Sequence, residues 1–306
     1  NYSYFDMMSN RVVPSPRYLK KLIKRKPEGI YYYRITTNQE FKGQKKEKLP
    51  IANLFLPREY IKNRPLFLIG SGPSLREHDI SKLKNCYTMS FNRSYIAFDD
   101  WGFQPTYFAG LDNVVNKDNK DEFRNLIRKS KIKRFFFPND SISQRFFKSK
   151  NVSIIDIYGG NPRGPDLNFT TNLTTANSGL FGLQIAIGLL GFKEIYLLGC
   201  DANYKEQIKG TQKKDGVYIS IEDNDTNHFR QDYFGKGTTY NKPNSSKWHY
   251  PAWKSFFEEN LINNEEKVKV YNCSSSGKLT FFEFKNFNDI TKDIKSLRLN
   301  SSISHN

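Results

Sequence analysis

Residues Pro65-Leu-Phe-Leu-Ile-Gly-Ser-Gly-Pro-Ser-Leu75 decide how this chain is read. Leu66 to Ile69 form an apolar run that ends directly in Gly70-Ser71-Gly72. A short run without polar alternation predicts a strand buried on both faces, as in a parallel sheet. Ser74 stands where it can cap a helix over 74–84 carrying Leu75, Ile80 and Leu83. Strand, glycine turn and helix start together set backbone N–H groups where a phosphate can sit. A nucleotide or other phosphorylated ligand is therefore the first functional expectation. Pro73-Ser74-Leu75 follows Gly72, so no GxGxxG fingerprint is completed, and no GxxxxGK[ST] motif occurs. The two commonest owners of such a turn, dinucleotide folds and P-loops, fall away.

From Pro65 onward the chain alternates. Strands are predicted at 66–70, 86–91, 106–111, 133–137, 152–157, 194–199 and 267–272. Helices are predicted at 74–84, 118–130, 141–148, 178–191 and 250–262. This rhythm predicts an α/β fold, a mostly parallel Rossmann-like sheet with helices on both faces. Residues 65–286 read as the nucleotide-binding catalytic unit. Residues 1–64 read as a basic extension with one or two short helices, and 287–306 as a polar tail, helical or frayed. Residues 202–249 break the rhythm, and so long an irregular segment reads as a lid.

The chain has 306 residues and 48 Lys and Arg against 31 Asp and Glu, a formal charge of +17. Such an excess fits an anionic partner. The densest cluster runs from Arg17 through Lys26, with a second at Lys42, Lys45, Lys46 and Lys48. A solvated surface is the plain reading, and attachment to an anionic membrane surface the functional one. No nucleic-acid-binding signature accompanies the charge, so nucleic acid is not expected as a partner. No apolar run reaches the roughly 18–20 residues of a membrane span. The chain carries no signal-peptide pattern and does not begin with Met, so it reads as a piece of a longer protein. Cys86, Cys200 and Cys273 lie far apart with no CxxC pair, which favours neither zinc nor disulfides. A cytoplasmic protein, peripheral at the inner membrane, is the expected setting.

In an open parallel sheet, ligands bind outside the carboxyl ends of the strands. There the sequence repeatedly places small, amide and hydroxyl residues: Gly70-Ser71-Gly72, Asn92-Arg93, Asp112-Asn113, Asp201, and Ser274-Ser275-Ser276. Asn177-Ser178-Gly179 opens the most apolar helix and offers it a cap. Of four histidines, His228 and His249 lie in the irregular segment, where a neutral imidazole suits general-base work. Tyr204, Tyr218, Tyr233 and Tyr240 accompany them, and phenol hydroxyls can donate to a departing phosphate without adding charge. Asp223-Asn-Asp225 lies in a loop rather than at a strand end, so it does not read as a metal site.

Ile69-Gly-Ser-Gly-Pro-Ser-Leu75, Phe91-Asn92 and above all the stretch from Asn177-Ser-Gly179 through Gly191-Phe-Lys-Glu-Ile-Tyr-Leu-Leu-Gly-Cys-Asp201 resemble bacterial sialyltransferases of glycosyltransferase family 42. They also resemble the broader set of related domains of unassigned function, including motility-associated nonulosonic acid transferases. Thr175 stands where the sialyltransferases carry Arg, and Ser71 where they carry Asn. The resemblance implies a modified GT-A fold and an inverting glycosyltransferase. The donor would be CMP-linked, and the acceptor a surface glycan or lipid-linked sugar. It places Gly70, Ser71, Gly72, Asn92, Asn177, Ser178, Gly179 and Asp201 at the donor, and Asp112 and Ser275 join them as polar residues after strands. It makes His228 the base, assisted by Tyr204 and Tyr233. No cofactor is required, and magnesium is compatible but not essential. A homo-oligomer is compatible with all of this. Two other readings stay open. One is a pterin-type pyrophosphokinase using ATP and Mg²⁺, with Asp112 and Asp201 as its carboxylates. The other is a non-catalytic nucleotide- or glycan-binding module.

Overall fold

A computed structural model describes residues 64–138, 140–155, 177–204, 211–214, 217–241, 249–262 and 267–292, with five short strands nearer the N-terminus. The basic clusters of the extension, Thr175 and the end of the tail lie outside the described residues. The described parts of the extension are short strands, and the short helices expected of it lie outside the described residues. Ser3–Asp6, Arg11–Pro14 and Thr36–Thr37 form one antiparallel ladder, and Ile30–Tyr32 pairs with Ala52–Leu54.

The main sheet has eight strands. In chain order they are β1 (Leu66–Ile69), β2 (Tyr87–Phe91), β3 (Tyr107–Ala109), β4 (Arg134–Pro138), β5 (Val152–Ile155), β6 (Glu194–Leu198), β7 (Lys269–Asn272) and β8 (Glu283–Phe284). Their spatial order is β5-β4-β3-β2-β1-β6-β7-β8, and every neighbouring pair is parallel. The chain walks outward from β1 to β5, then returns to lay β6 on the other side of β1. That reversal creates the crevice in which α/β sheets bind ligands.

Both faces of β1 are buried, as its unbroken apolar run requires. Leu66 and Leu68 enter one core with Leu180, Phe181, Leu183, Trp253 and Phe256. Phe67 and Ile69 enter the other with Phe108, Phe123, Phe135, Phe137 and Phe147. Each such phenylalanine contributes roughly 1.5–3 kcal/mol by leaving water. The helices doing this covering are α1 (Asn113–Asp118), α2 (Lys120–Lys129), α3 (Ser141–Phe146), α4 (Ser178–Gln184, extended by a π-turn over Ile185–Leu189), α5 (His249–Asn260) and α6 (Phe287–Lys292). Phe287 of α6 is 3% exposed and packs in the second core, so the α/β unit continues past 286 into the expected tail.

The expected helix over 74–84 is two short 3-10 turns instead, Pro73–Glu77 and Ile80–Leu83. Ser74 does not cap it, because its N–H and hydroxyl are both drawn to Asp201. The helix expected over 118–130 is α2, and a further short helix, α1, precedes it and meets it at Asn119. Among the described residues no helix is long and apolar enough to cross a membrane. All three cysteines are free and buried.

Candidate active site

A cavity of about 620 Å³ opens outside the carboxyl ends of β1, β2, β3, β4 and β6, at the strand-order reversal. This volume suits a ligand of nucleotide size. Gly70, Ser71, Gly72, Asn92, Asp112, Asn177, Ser178, Gly179, Asp201, Tyr204, His228 and Tyr233 all line it. Ser275 does not: its hydroxyl and that of Ser276 donate to the Glu77 carboxylate at the surface. Ser274 is also diverted, accepting from the Gly199 N–H behind the cavity.

The glycine turn is built differently from a phosphate cradle. Gly70 N–H donates to Leu198 O at 2.7 Å and Gly72 N–H to Gly199 O at 2.8 Å. Both donors expected to face a phosphate are spent on the turn that follows β6. The glycines are needed for that close approach: a Cβ on Gly70 would lie 2.4 Å from Gly199 O, and one on Gly72 2.5 Å from an Asp201 carboxylate oxygen. Asp201 latches the same two turns together, accepting from Ser74 N–H at 2.9 Å and from the Ser74 hydroxyl. Its carboxylate is thus occupied within the protein rather than free for a ribose.

The amide wall lies across the cavity. Asn177 accepts from Leu180 N–H at 2.8 Å, capping α4 as its sequence position predicts. Asn92 has a left-handed backbone, φ 48°, and its side chain donates to the Ser178 hydroxyl at 2.9 Å. Non-glycine residues adopt that conformation uncommonly and often at functional sites. Asn92 Oδ1 and Asn177 Nδ2 are buried without a protein partner. Each such atom costs about 1–3 kcal/mol that a bound ligand can relieve. Asp112 caps α1 through Val114 N–H and Val115 N–H, and also accepts from Asn241, tying the irregular segment to the sheet.

That segment is docked rather than standing open. Phe229 N–H donates to Ser71 O at 3.0 Å, and the Arg230 guanidinium reaches Ile96 O and Asp100. The docking sets His228, 6% exposed, at the cavity. His228 Nδ1 lies 2.7 Å from Asp225 Oδ2, and the imidazole stacks on the Tyr233 ring at 4.1 Å with an 8° tilt. Asp225 is 3% exposed and is held by Asn227 N–H and Phe234 N–H. A carboxylate on Nδ1 fixes the tautomer and leaves Nε2 as the nitrogen able to take a proton. Tyr233 presents its ring to His228, and its hydroxyl already accepts from Arg93 N–H and bonds the Ser71 side chain. Burial pushes that phenol up to about 12. Tyr204 stands edge-on to His228 at 5.8 Å and to His249 at 5.0 Å, and burial raises its phenol well above the ordinary range. It therefore keeps its proton and can donate a hydrogen bond. Burial likewise raises the Cys200 thiol, so this cavity-lining cysteine is no thiolate nucleophile.

Asp223-Asn-Asp225 reads from sequence only against a metal motif, which hides the role of Asp225 beside His228. The Asp225-x-x-His228 spacing was the available signal. His249, the other histidine of the irregular segment, lines the cavity too, and Trp253 and Asp140 line it unforeseen. Among the described residues no cluster of three or more His, Cys, Asp or Glu gathers to hold a metal. No Lys or Arg stands among the described residues lining the cavity, despite the basic chain.

His249 carries a pH prediction. Burial holds its pKa down to about 4, against 6.5 in the unfolded chain. Between those values the unfolded chain binds the proton more readily. The stability from His249 is therefore complete above pH 6.5 and is lost as pH falls toward 4, by at most about 3 kcal/mol. His249→Gln should flatten the change in urea midpoint between pH 7 and pH 4.5. An unchanged slope in the variant would place the sensitivity elsewhere.

A family model described as 6-hydroxymethylpterin diphosphokinase MptE-like matches residues 38–207, more than half of the chain. No curated protein matches the chain. Among solved structures, the MAf glycosyltransferase from Magnetospirillum magneticum AMB-1 is similar at 16% identity and a TM-score of 0.42. That likeness covers 78% of this chain and 34% of the other, so the chain spans about a third of its length.

Proposed function

Given that this chain belongs to the MptE-like 6-hydroxymethylpterin diphosphokinase family, we propose that it is a transferase in which His228 activates an acceptor hydroxyl against a nucleotide-linked donor. The observation carrying this reading is the buried Asp225–His228 pair, stacked on Tyr233 beside a cavity of neutral hydrogen-bonding groups. Nε2 of His228 takes the hydroxyl proton, and the Asp225 carboxylate stabilises the imidazolium that results. The Tyr204 hydroxyl and the unpartnered Asn177 amide N–H at the start of α4 stabilise the departing phosphate.

The donor we propose is a CMP-activated sugar of the nonulosonic, sialic type. Inverting transfer would deliver it to a surface glycan or lipid-linked acceptor. The charge of the cavity supports this choice. A nucleoside monophosphate leaves with a single phosphate, which neutral donors can hold. A triphosphate brings several more charges into a lining that carries Asp112, Asp140 and Asp201 and, among its described residues, no Lys or Arg. The family description favours a second reading, transfer of pyrophosphate from ATP to a hydroxymethyl group. Of the two carboxylates expected for magnesium, Asp112 and Asp201, the second is held by Ser74, so Asp140 would have to join Asp112.

A thermal-shift screen with CMP, CDP, UDP, GDP and ATP, each with and without Mg²⁺, separates the two. Ligand at a hundred times its Kd stabilises the folded state by about 2.7 kcal/mol, enough for a clear shift. Stabilisation by CMP without metal is expected. A shift confined to ATP with Mg²⁺ would overturn the CMP-sugar reading in favour of the diphosphokinase.

A further inference from the structure

We propose that Arg93 is a positioning residue for the base: it fixes the aromatic ring on which the His228 imidazole rests. The inference rests on the reading of His228 as base. Tyr233 is gripped by Arg93 at both ends. Its hydroxyl accepts from the Arg93 backbone N–H at 3.2 Å, and its carbonyl oxygen accepts from Arg93 Nε. Arg93 is itself fixed, because its Nη1 donates to Asn119 Oδ1 at 2.5 Å. Asn119 is 2% exposed and sits at the junction of α1 and α2, where it also accepts from the Tyr95 hydroxyl and donates to Val115 O.

The rigid helical layer thus reaches the imidazole through Asn119, Arg93 and Tyr233 in turn. Asp225 sets the imidazole by its edge, and Tyr233 sets it by its face. A stacked aromatic pair is a weak contact, too weak to hold the ring plane if Tyr233 itself can move. A guanidinium suits the task, since its separate donors span the Tyr233 carbonyl and the Asn119 amide together. A lysine ammonium is a single point at the end of a flexible stem. Arg93 also adjoins Asn92, whose side chain contacts Ser178 at the amide wall. One corner of the chain after β2 therefore sets both the donor side of the cavity and its base.

The test uses the whole chain with R93M, R93K and H228A. The chain has four histidines, so the His228 ring protons are identified in an NMR spectrum as the signals missing from H228A. Face-to-face stacking at 4.1 Å shifts them upfield through the Tyr233 ring current. In R93M those signals should move back toward the positions of unstacked histidines. With the donor found by the nucleotide screen, kcat should fall by up to about a hundredfold, the usual effect of a small misplacement, with KM unchanged. Unmoved His228 signals in R93M overturn the proposal, as does an unchanged kcat while H228A is inactive. If R93M does not fold, R93K is read in the same way, and unmoved signals in it likewise overturn the proposal. If H228A keeps full turnover, the base reading fails, and the ring-proton shifts still decide whether Arg93 positions the imidazole.

Discussion

His228→Ala is expected to lower kcat by about 10²–10⁴-fold, the usual contribution of a positioned general base, with nucleotide binding retained. The reason is the division of labour in the cavity. The imidazole sits on the docked segment with Nδ1 committed to Asp225, whereas the amide wall belongs to the ends of β2 and the start of α4. Removing the imidazole leaves the nucleotide side intact, so the thermal shift given by the nucleotide should persist. Asp225→Asn should also reduce kcat strongly, since an amide at that position can hold the wrong tautomer. Asp225 further anchors Asn227 N–H and Phe234 N–H, so this variant should also lose some stability. Turnover of H228A within threefold of wild type, measured with the donor the screen identifies, would remove His228 from the mechanism.

Gly70→Ala is expected to unfold the site rather than merely weaken its ligand. The added Cβ would lie 2.4 Å from Gly199 O and 2.8 Å from Gly199 C, both backbone atoms. No flexible side chain can yield. Relief requires parting the turns after β1 and β6, which breaks the Gly70 N–H to Leu198 O bond and strains the Asp201 latch on Ser74. Overpacking of this kind costs about 1–3 kcal/mol or more, a fall in Tm of roughly 2–7 °C for a unit of this size. Calorimetry of the variant without ligand provides the measurement. A wild-type Tm combined with lost nucleotide binding would show that the glycines serve a phosphate after all.

Much of the architecture is legible residue by residue. The unbroken run Leu66–Ile69 announces a doubly buried strand, and β1 lies at the centre of the parallel sheet. Asn177 announces the cap of α4 and makes it. The 3-10 turns after Gly72 were not legible, because the helical spacing of Leu75, Ile80 and Leu83 is silent about Asp201 pulling on Ser74. Ser275 looked like its neighbours at other strand ends, yet Glu77, distant in sequence, takes its hydroxyl. The tail was legible only as polar, and Phe287 carries it into the core.

The sequence by itself determined the parallel sheet, the crevice at its carboxyl ends, and the set of amide, hydroxyl and imidazole groups that could stand there. Those follow from apolar patterning and local turn chemistry, which act over a few residues. Only the tertiary structure decided which polar groups remain for a ligand. Gly70 and Gly72 spend their N–H groups on the turn after β6, and Asp201 spends its carboxylate on Ser74, 127 residues away. Asp225 and Tyr233 converge on His228 because the segment that carries them docks against Ser71 and Arg93. Hydrogen-bond partners are chosen by proximity in the folded chain, and a buried polar group takes whichever partner the packing brings to it.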